Sequence, residues 1–224
     1  MAFPFTHLCV AWRILEKNPL PEAEAAQFLL GSVAPDAVHY RAGFSGAKMK
    51  GIGAAKKVTH LCPVSDELWG QVTDNAGWGE IVKDFIRVHP GDAFAAGYAA
   101  HVLTDSHNNQ TIWDKFRTNF PEEAAKGYDI EYYADLQEIH TRLYLEFPAT
   151  AQIMDLLAKA VPAGLPGLVS AEEVHALQQN LLHEAFKDAA PPATPRRYHF
   201  VTYEDTLKFI ETATEFCMEV SEAV

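Results

Sequence analysis

His101 and Asp105 stand four residues apart in the stretch Phe94-Ala95-Ala96-Gly97-Tyr98-Ala99-Ala100-His101-Val102-Leu103-Thr104-Asp105. That stretch reads as a buried helix, and side chains at i and i+4 share a helix face. Phe94, Tyr98, His101 and Asp105 therefore lie on one stripe that passes from apolar to ligand-like. An imidazole and a carboxylate buried side by side need a partner, and a divalent cation is a good one. A buried His–Asp pair also occurs as a structural hydrogen bond, so its meaning depends on what else the chain brings to it. Three further residues are of the wrong chemical type for their apolar surroundings. His7 lies on the apolar side of the first helical segment, Asp36 follows Pro35, and His60 precedes Leu61-Cys62-Pro63. Each has a plainer reading by itself. His7 can be a core imidazole bonded to a backbone carbonyl. Asp36 can cap the segment Ala37-Val38-His39-Tyr40. His60 can be a surface residue beside a turn.

The constellation says more than its members. Two His and two Asp around one zinc, with a carboxylate shared to a second zinc that also takes a His, make a workable dinuclear centre. Imidazole and carboxylate suit Zn2+, and Mn or Fe is compatible with the same donors. Two cations roughly 3.5–4 Å apart can clamp the attacking and leaving oxygens of a phosphoester. His107 reaches such a site only if its helix ends at Ser106. His140, near Leu136, Ile139 and Leu143, has a core imidazole as its plain reading. His39, His89, His175, His183 and His199 read as surface or rim residues. Arg196, Arg197 and His199 form a small basic cluster that can grip a phosphate, although a solvated loop is the simpler reading. No Ser-His-Asp order, Gly-rich phosphate loop, CxxC pair or His-Asp dipeptide offers a rival chemistry.

Helices have to position these groups. Helical periodicity dominates, with segments expected near 5–17, 21–31, 65–73, 78–88, 92–108, 109–118, 121–147 (broken near Gly127), 150–160, 171–188 and 204–222. Ser170 with Glu173 fits a capping box. Residues 40–57 carry four glycines and several lysines, which predicts an exposed excursion or lid. Residues 189–195 form a Pro-rich connector, and 198–203 can be extended. The expectation is one all-α domain over 1–224, a multi-helix bundle whose metal site comes mostly from residues 1–110.

Composition limits the partners. The chain has 224 residues and a formal net charge of −12, which argues against binding duplex nucleic acid, a task that needs a positive face. A small phosphoester beside a cation remains compatible, because the ion supplies local positive charge. The three cysteines are far apart and imply no disulfide framework; Cys9 and Cys217 read as small core residues. No run of 18 apolar residues is present, and no stable membrane anchor is expected. The start, Met-Ala-Phe-Pro-Phe-Thr-His, has neither the basic region nor the apolar run of a secretory signal, so a cytoplasmic protein is expected. Oligomeric state is left open.

Thr6-His7-Leu8, Phe28-Leu29-Leu30-Gly31-Ser32-Val33-Ala34-Pro35-Asp36, Thr59-His60-Leu61 and Gly97-Tyr98-Ala99-Ala100-His101-Val102-Leu103-Thr104-Asp105 occur in an order that resembles the zinc-dependent phospholipase C family. That family shares its all-α fold with the zinc-dependent fungal single-strand nucleases. The resemblance covers roughly the first half of the chain. It implies a bundle of the phospholipase C/nuclease type, with Asp36, His60, His101 and Asp105 around one zinc. Asp105 would bridge to a second zinc held also by His7. It further implies that Asp36 activates or orients the attacking water, and that a metal-bound hydroxide attacks phosphorus in line. There are departures from the family pattern. Secreted relatives use a processed amino-terminal Trp as a ligand, and this sequence has none there. His140 is followed four residues later by Tyr144 where the family has Glu, so one or two ions are expected rather than three. His107 and His140 remain the reserve ligands. A zinc-dependent phosphodiester or phosphomonoester hydrolase is the first expectation. The alternative is a non-catalytic, metal-stabilised binding protein of the same fold.

Overall fold

The computed structural model describes residues 2–44, 55–62, 75–125, 131–191 and 197–223. Among these the chain is all-α, with one isolated β-bridge between Leu165 and Val169. The helices are α1 (Pro4–Lys17), α2 (Glu22–Gly31), a 3-10 helix (Ala34–Tyr40), α3 (Asn75–Arg87), α4 (Ala93–Gln110), α5 (Ile112–Asn119), α6 (Pro121–Ala124), α7 (Glu131–Glu146), α8 (Thr150–Lys159), α9 (Ala171–His183) and α10 (Tyr203–Glu222).

Local chemistry accounts for the ends. Pro4 opens α1, where its missing N–H costs nothing and its fixed φ suits a helix. Glu22 and Glu24 sit in the first turn of α2, against the positive end of its dipole. Asp92 caps α4 by accepting the Ala95 N–H. Ser170 and Glu173 form the expected capping box on α9, and Thr202 with Asp205 forms a second on α10.

The most buried helix, α4, packs against α1, α2, α3, α10 and the 3-10 helix. Its crossing with α2 fixes the geometry of everything that follows. A Cβ on Gly31 would lie 2.1 Å from the Phe94 carbonyl oxygen, and one on Gly97 would lie 2.0 Å from that of Phe28. Only hydrogen fits at either position, so the two backbones touch. Contact at this point presses the end of α2, with Ser32 and the following 3-10 helix, against the turn of α4 that carries His101. One apolar cluster, from Ala2 to Cys217, holds the bundle together and includes both Cys9 and Cys217.

The expected helix at 65–73, the break near Gly127 and Arg196 of the basic cluster lie outside the described residues. Elsewhere the structure departs from the sequence expectations in several places. Helix α4 runs on to Gln110 and breaks at Thr111. Helix α9 ends at His183, with turns to 188. Residues 198–203 form no strand. Of the expected excursion 40–57, residues 45–54 lie outside the described part, but 55–59 are helical, with Lys56 and Lys57 buried. Composition suggested solvent for these lysines. A buried anion, Asp36, holds Lys56 inside instead. No helix among the described residues is long and apolar enough to cross a membrane.

Candidate metal centre

Four elements bring five ligand-type side chains to one buried point. Helix α1 supplies His7, the 3-10 helix supplies Asp36, the segment after residues 55–59 supplies His60, and α4 supplies His101 and Asp105. All five are buried. Their donor atoms form two overlapping groups, His7–His101–Asp105 and Asp36–His60–His101, with the atoms of each group within 4.8 Å of one another.

Hydrogen bonds on the far side of two imidazoles fix their tautomers. His101 Nδ1 lies 2.8 Å from the Ser32 carbonyl oxygen, and His60 Nδ1 lies 2.9 Å from that of Lys56. A carbonyl only accepts, so each Nδ1 carries the proton and each Nε2 carries a lone pair. These two Nε2 atoms face each other at 3.2 Å. Two lone pairs at that distance repel unless a proton or a metal cation lies between them. Burial pushes the His60 pKa down to about 4, against protonation of that ring. Histidine metal ligands commonly donate their other ring N–H to a backbone carbonyl in this way.

The carboxylates complete the arrangement. Asp105 Oδ1 accepts the Ala2 N–H at 3.1 Å and lies 3.5 Å from His7 Nε2. Its other oxygen, Oδ2, makes no hydrogen bond and lies 3.7 and 3.8 Å from the Nε2 atoms of His60 and His101. Neither ring nitrogen of His7 has a hydrogen-bond partner, and the ring stacks on His101 with centroids 3.7 Å apart. Burial pushes the His7 pKa down to about 3, the neighbouring His101 adding to the effect. Burial alone would raise both carboxyl pKa values. For Asp36 the nearby Lys56 ammonium is the largest opposing influence, and the group is held well below the usual range. For Asp105 the imidazoles of His7 and His101 do the same more weakly. Buried, incompletely satisfied oxygens and nitrogens of this kind are costly without a partner. A divalent cation fits the donor set: these groups can hold a metal ion.

The division of labour differs from the simplest count. His101 belongs to both donor groups, yet a neutral Nε2 has one lone pair and serves one ion at a time. Asp105 can serve two, since its oxygens point to different neighbours. Asp36, His60, His101 and Asp105 Oδ2 form the fuller set, while His7 and Asp105 Oδ1 form a two-donor remainder.

Second contacts hold the His60 turn in place. Trp78 Nε1–H donates to the His60 carbonyl at 2.9 Å, and the Tyr98 hydroxyl donates to that of Thr59. Leu61, the next residue, sits in the left-handed region at φ 50°, a conformation that costs roughly 1–2 kcal/mol.

Two reserve ligands are not brought to the cluster. His107 points to the far side of α4, where Nε2 meets Thr212 Oγ1 at 3.0 Å and the ring stacks on Phe209 and Phe216. The helix continues past Ser106, so the condition for its approach fails. His140 packs among Phe3, Phe5 and Phe186, with its pKa pushed down to about 4 by burial. It lines a cavity of about 490 Å3 next to the cluster. Sequence reasoning missed one participant, Lys56, while His39 lies at the rim as expected. Lys56 Nζ donates to Asp36 Oδ1 at 3.1 Å and lies 3.2 Å from His39 Nε2. Lys56, His39 and Asp36 all line that cavity, with Phe3, Pro4, Leu177 and Leu181 on its apolar wall. The one signal for Lys56 was its position four residues before His60, which is weak in a lysine-rich stretch.

Comparison with family models, with curated proteins and with solved structures finds no match for this chain.

Proposed function

We propose that this protein is a metal-dependent hydrolase of small phosphoesters, with zinc as the preferred ion at a mono- or dinuclear centre. One observation carries the reading: two carbonyl-anchored imidazoles face their lone pairs at each other beside a carboxylate oxygen without a hydrogen bond, and Asp36 of the same cluster lines a cavity. The motif order that resembles the zinc-dependent phospholipase C family supports phosphoester hydrolysis as the reaction, and an expected bundle of that type agrees with an all-α chain. Asp36, His60, His101 and Asp105 would hold the principal ion, and His7 with Asp105 a second. Bound there, the ion would act as a Lewis acid and lower the pKa of water.

The protein groups have separate tasks. Asp36 belongs both to the donor set and to the cavity wall, so it can orient a water toward a bound phosphorus atom. The apolar wall can take the organic part of the ester and exclude solvent from it. The net charge of −12 disfavours duplex nucleic acid as substrate and leaves a small phosphoester in the cavity. A cytoplasmic setting belongs to the same proposal.

Protein purified without chelator should contain close to one or two equivalents of zinc. It should hydrolyse a chromogenic phosphodiester or phosphomonoester, lose that activity to a chelator and regain it with zinc. Asp36→Asn should retain much of the metal and lose most of the turnover. Chain that is folded, metal-free and unable to take up Zn2+, Mn2+ or Fe2+ would refute the proposal. The second reading, a non-catalytic metal-stabilised binding protein, is favoured by the Lys56 ammonium bonded to Asp36. Zinc uptake that raises the melting temperature with no turnover of either ester class would select it.

A further inference from the structure

Lys56 does not belong to any expected ligand set, yet it sits at the junction of cluster and cavity. Its ammonium donates to Asp36 Oδ1 at 3.1 Å, and the same oxygen lies 3.5 Å from His60 Nε2 and 3.7 Å from His39 Nε2. A cation held by Asp36, His60 and His101 would need that oxygen. An ammonium and a divalent ion on one carboxylate oxygen repel strongly, all the more away from water. The lysine stem is long and flexible, and the side chain already lines the cavity with His39 and Tyr40. The charges point the same way. Asp36 and Asp105 together balance one divalent ion, so a bound ion competes with the Lys56 ammonium for Asp36 at the wall of the cavity. A phosphoryl group offers that ammonium a second anionic partner.

We propose that Lys56 is an exchangeable counter-cation: it neutralises Asp36 before metal binds and grips a phosphoryl oxygen of the substrate afterwards. The inference rests on the phosphoester reading above and adds a substrate-binding residue and an order of events to it. Metal binding displaces the ammonium from Asp36, and the displaced ammonium swings into the cavity. An anion bound there then pairs with the displaced ammonium. No covalent step is involved.

The test uses the full chain. Zinc affinity is measured by competition with a chromophoric chelator, and inorganic phosphate affinity of the zinc-loaded protein by calorimetry. Lys56→Met removes the charge and keeps the length, while Lys56→Arg keeps the charge. Loss of a charge-assisted hydrogen bond should weaken phosphate binding about tenfold or more in Lys56→Met. In the same variant zinc should bind about tenfold tighter, since its competitor for Asp36 is gone. Lys56→Arg should restore phosphate binding to within about threefold. A merely structural lysine would weaken both affinities together, and that result, or unchanged phosphate affinity in Lys56→Met, overturns the inference while leaving zinc-dependent hydrolysis standing. Unaltered protein that takes up no metal removes the hydrolase reading and this inference with it. Reductive methylation of the unaltered chain, read by peptide mass spectrometry, covers the case of a variant that does not fold. Zinc should raise labelling of Lys56 relative to other lysines, and phosphate should then lower it. Labelling indifferent to both overturns the inference.

Discussion

Asp135 and Asp105 are buried to nearly the same degree, at 0% and 3% exposure, and the chain treats them in opposite ways. Asp135 belongs to α7, and its Oδ2 accepts the backbone N–H groups of His199, Phe200 and Val201 at 2.9, 2.8 and 3.4 Å. That carboxylate is consumed in joining the segment before α10 to α7. Asp105 receives one backbone N–H on Oδ1 and none on Oδ2, and it faces three imidazoles. A saturated buried carboxylate holds a fold together. An unsaturated one beside neutral imidazoles leaves coordination capacity for a cation. Burial alone does not separate the two roles; the count of partners does.

Removing each carboxylate should separate structure from metal binding, and this is the largest effect anticipated. Asp135→Ala leaves three N–H groups without their acceptor and should cost about 3–5 kcal/mol. In a chain of this size that lowers the melting temperature by roughly 10 °C. Its response to zinc should survive. Asp105→Ala removes the acceptor of one backbone N–H rather than three, so the metal-free protein should lose clearly less stability than with Asp135→Ala. The zinc response, about 2.7 kcal/mol at a hundredfold excess over Kd, should vanish. Calorimetric scans of both variants with and without zinc decide the matter. If Asp105→Ala is as damaging as Asp135→Ala in the absence of metal, the contrast is void.

The same contrast explains what could be read from the sequence. His101 and Asp105 were visible because helical spacing puts i and i+4 on one face, and the all-α class followed from periodicity. The ligand residues contributed by other elements were weaker signals. Their convergence depends on the contact at Gly31 and Gly97, which no local pattern of polar residues reveals. Lys56 was hidden for a different reason. Its burial follows from a long-range ion pair with Asp36, twenty positions away in sequence, and a lysine beside glycines looks like solvent-facing chain. Asp135 was unremarked because its partners are backbone groups, which carry no sequence signature.

Titration sharpens the comparison among histidines. Burial lowers His7 from 6.5 to about 3, and His60 and His140 from 6.5 to about 4. Between pH 6.5 and about 4 the unfolded chain takes up protons that these rings refuse in the native state. Stability of metal-free protein must therefore fall on acidification across that window, by about 1.4 kcal/mol per pH unit for each such histidine. The depressed Asp36 and Asp105 act lower down, where their stabilising charge is lost as pH drops below the ordinary carboxylate range. Urea denaturation at pH 7, 6 and 5 measures the slope. His140→Gln should remove about a third of it and leave zinc affinity untouched, because His140 lies outside the donor groups. His60→Gln should remove as much slope and also the zinc binding. Equal stability at pH 7 and pH 5 would contradict the buried, neutral state assigned to all three.

His107 supplies the smallest and most local test. Its ring stacks on Phe209 and Phe216, and Nε2 meets Thr212 Oγ1 at 3.0 Å, so it joins α4 to α10 away from the cluster. An aromatic contact of this kind contributes about 0.5–1.5 kcal/mol beyond burial, and the hydrogen bond about 1 kcal/mol. His107→Ala should therefore lower the melting temperature by roughly 3–10 °C with zinc affinity unchanged. His7→Ala is its complement on the other side of α4. It removes a ring stacked on His101 that makes no hydrogen bond of its own, and it should reduce the number of zinc ions bound or their affinity. A tenfold loss of zinc affinity in His107→Ala would mean that the end of α4 turns inward when metal binds, and the two-donor remainder of His7 and Asp105 would then gain its third ligand.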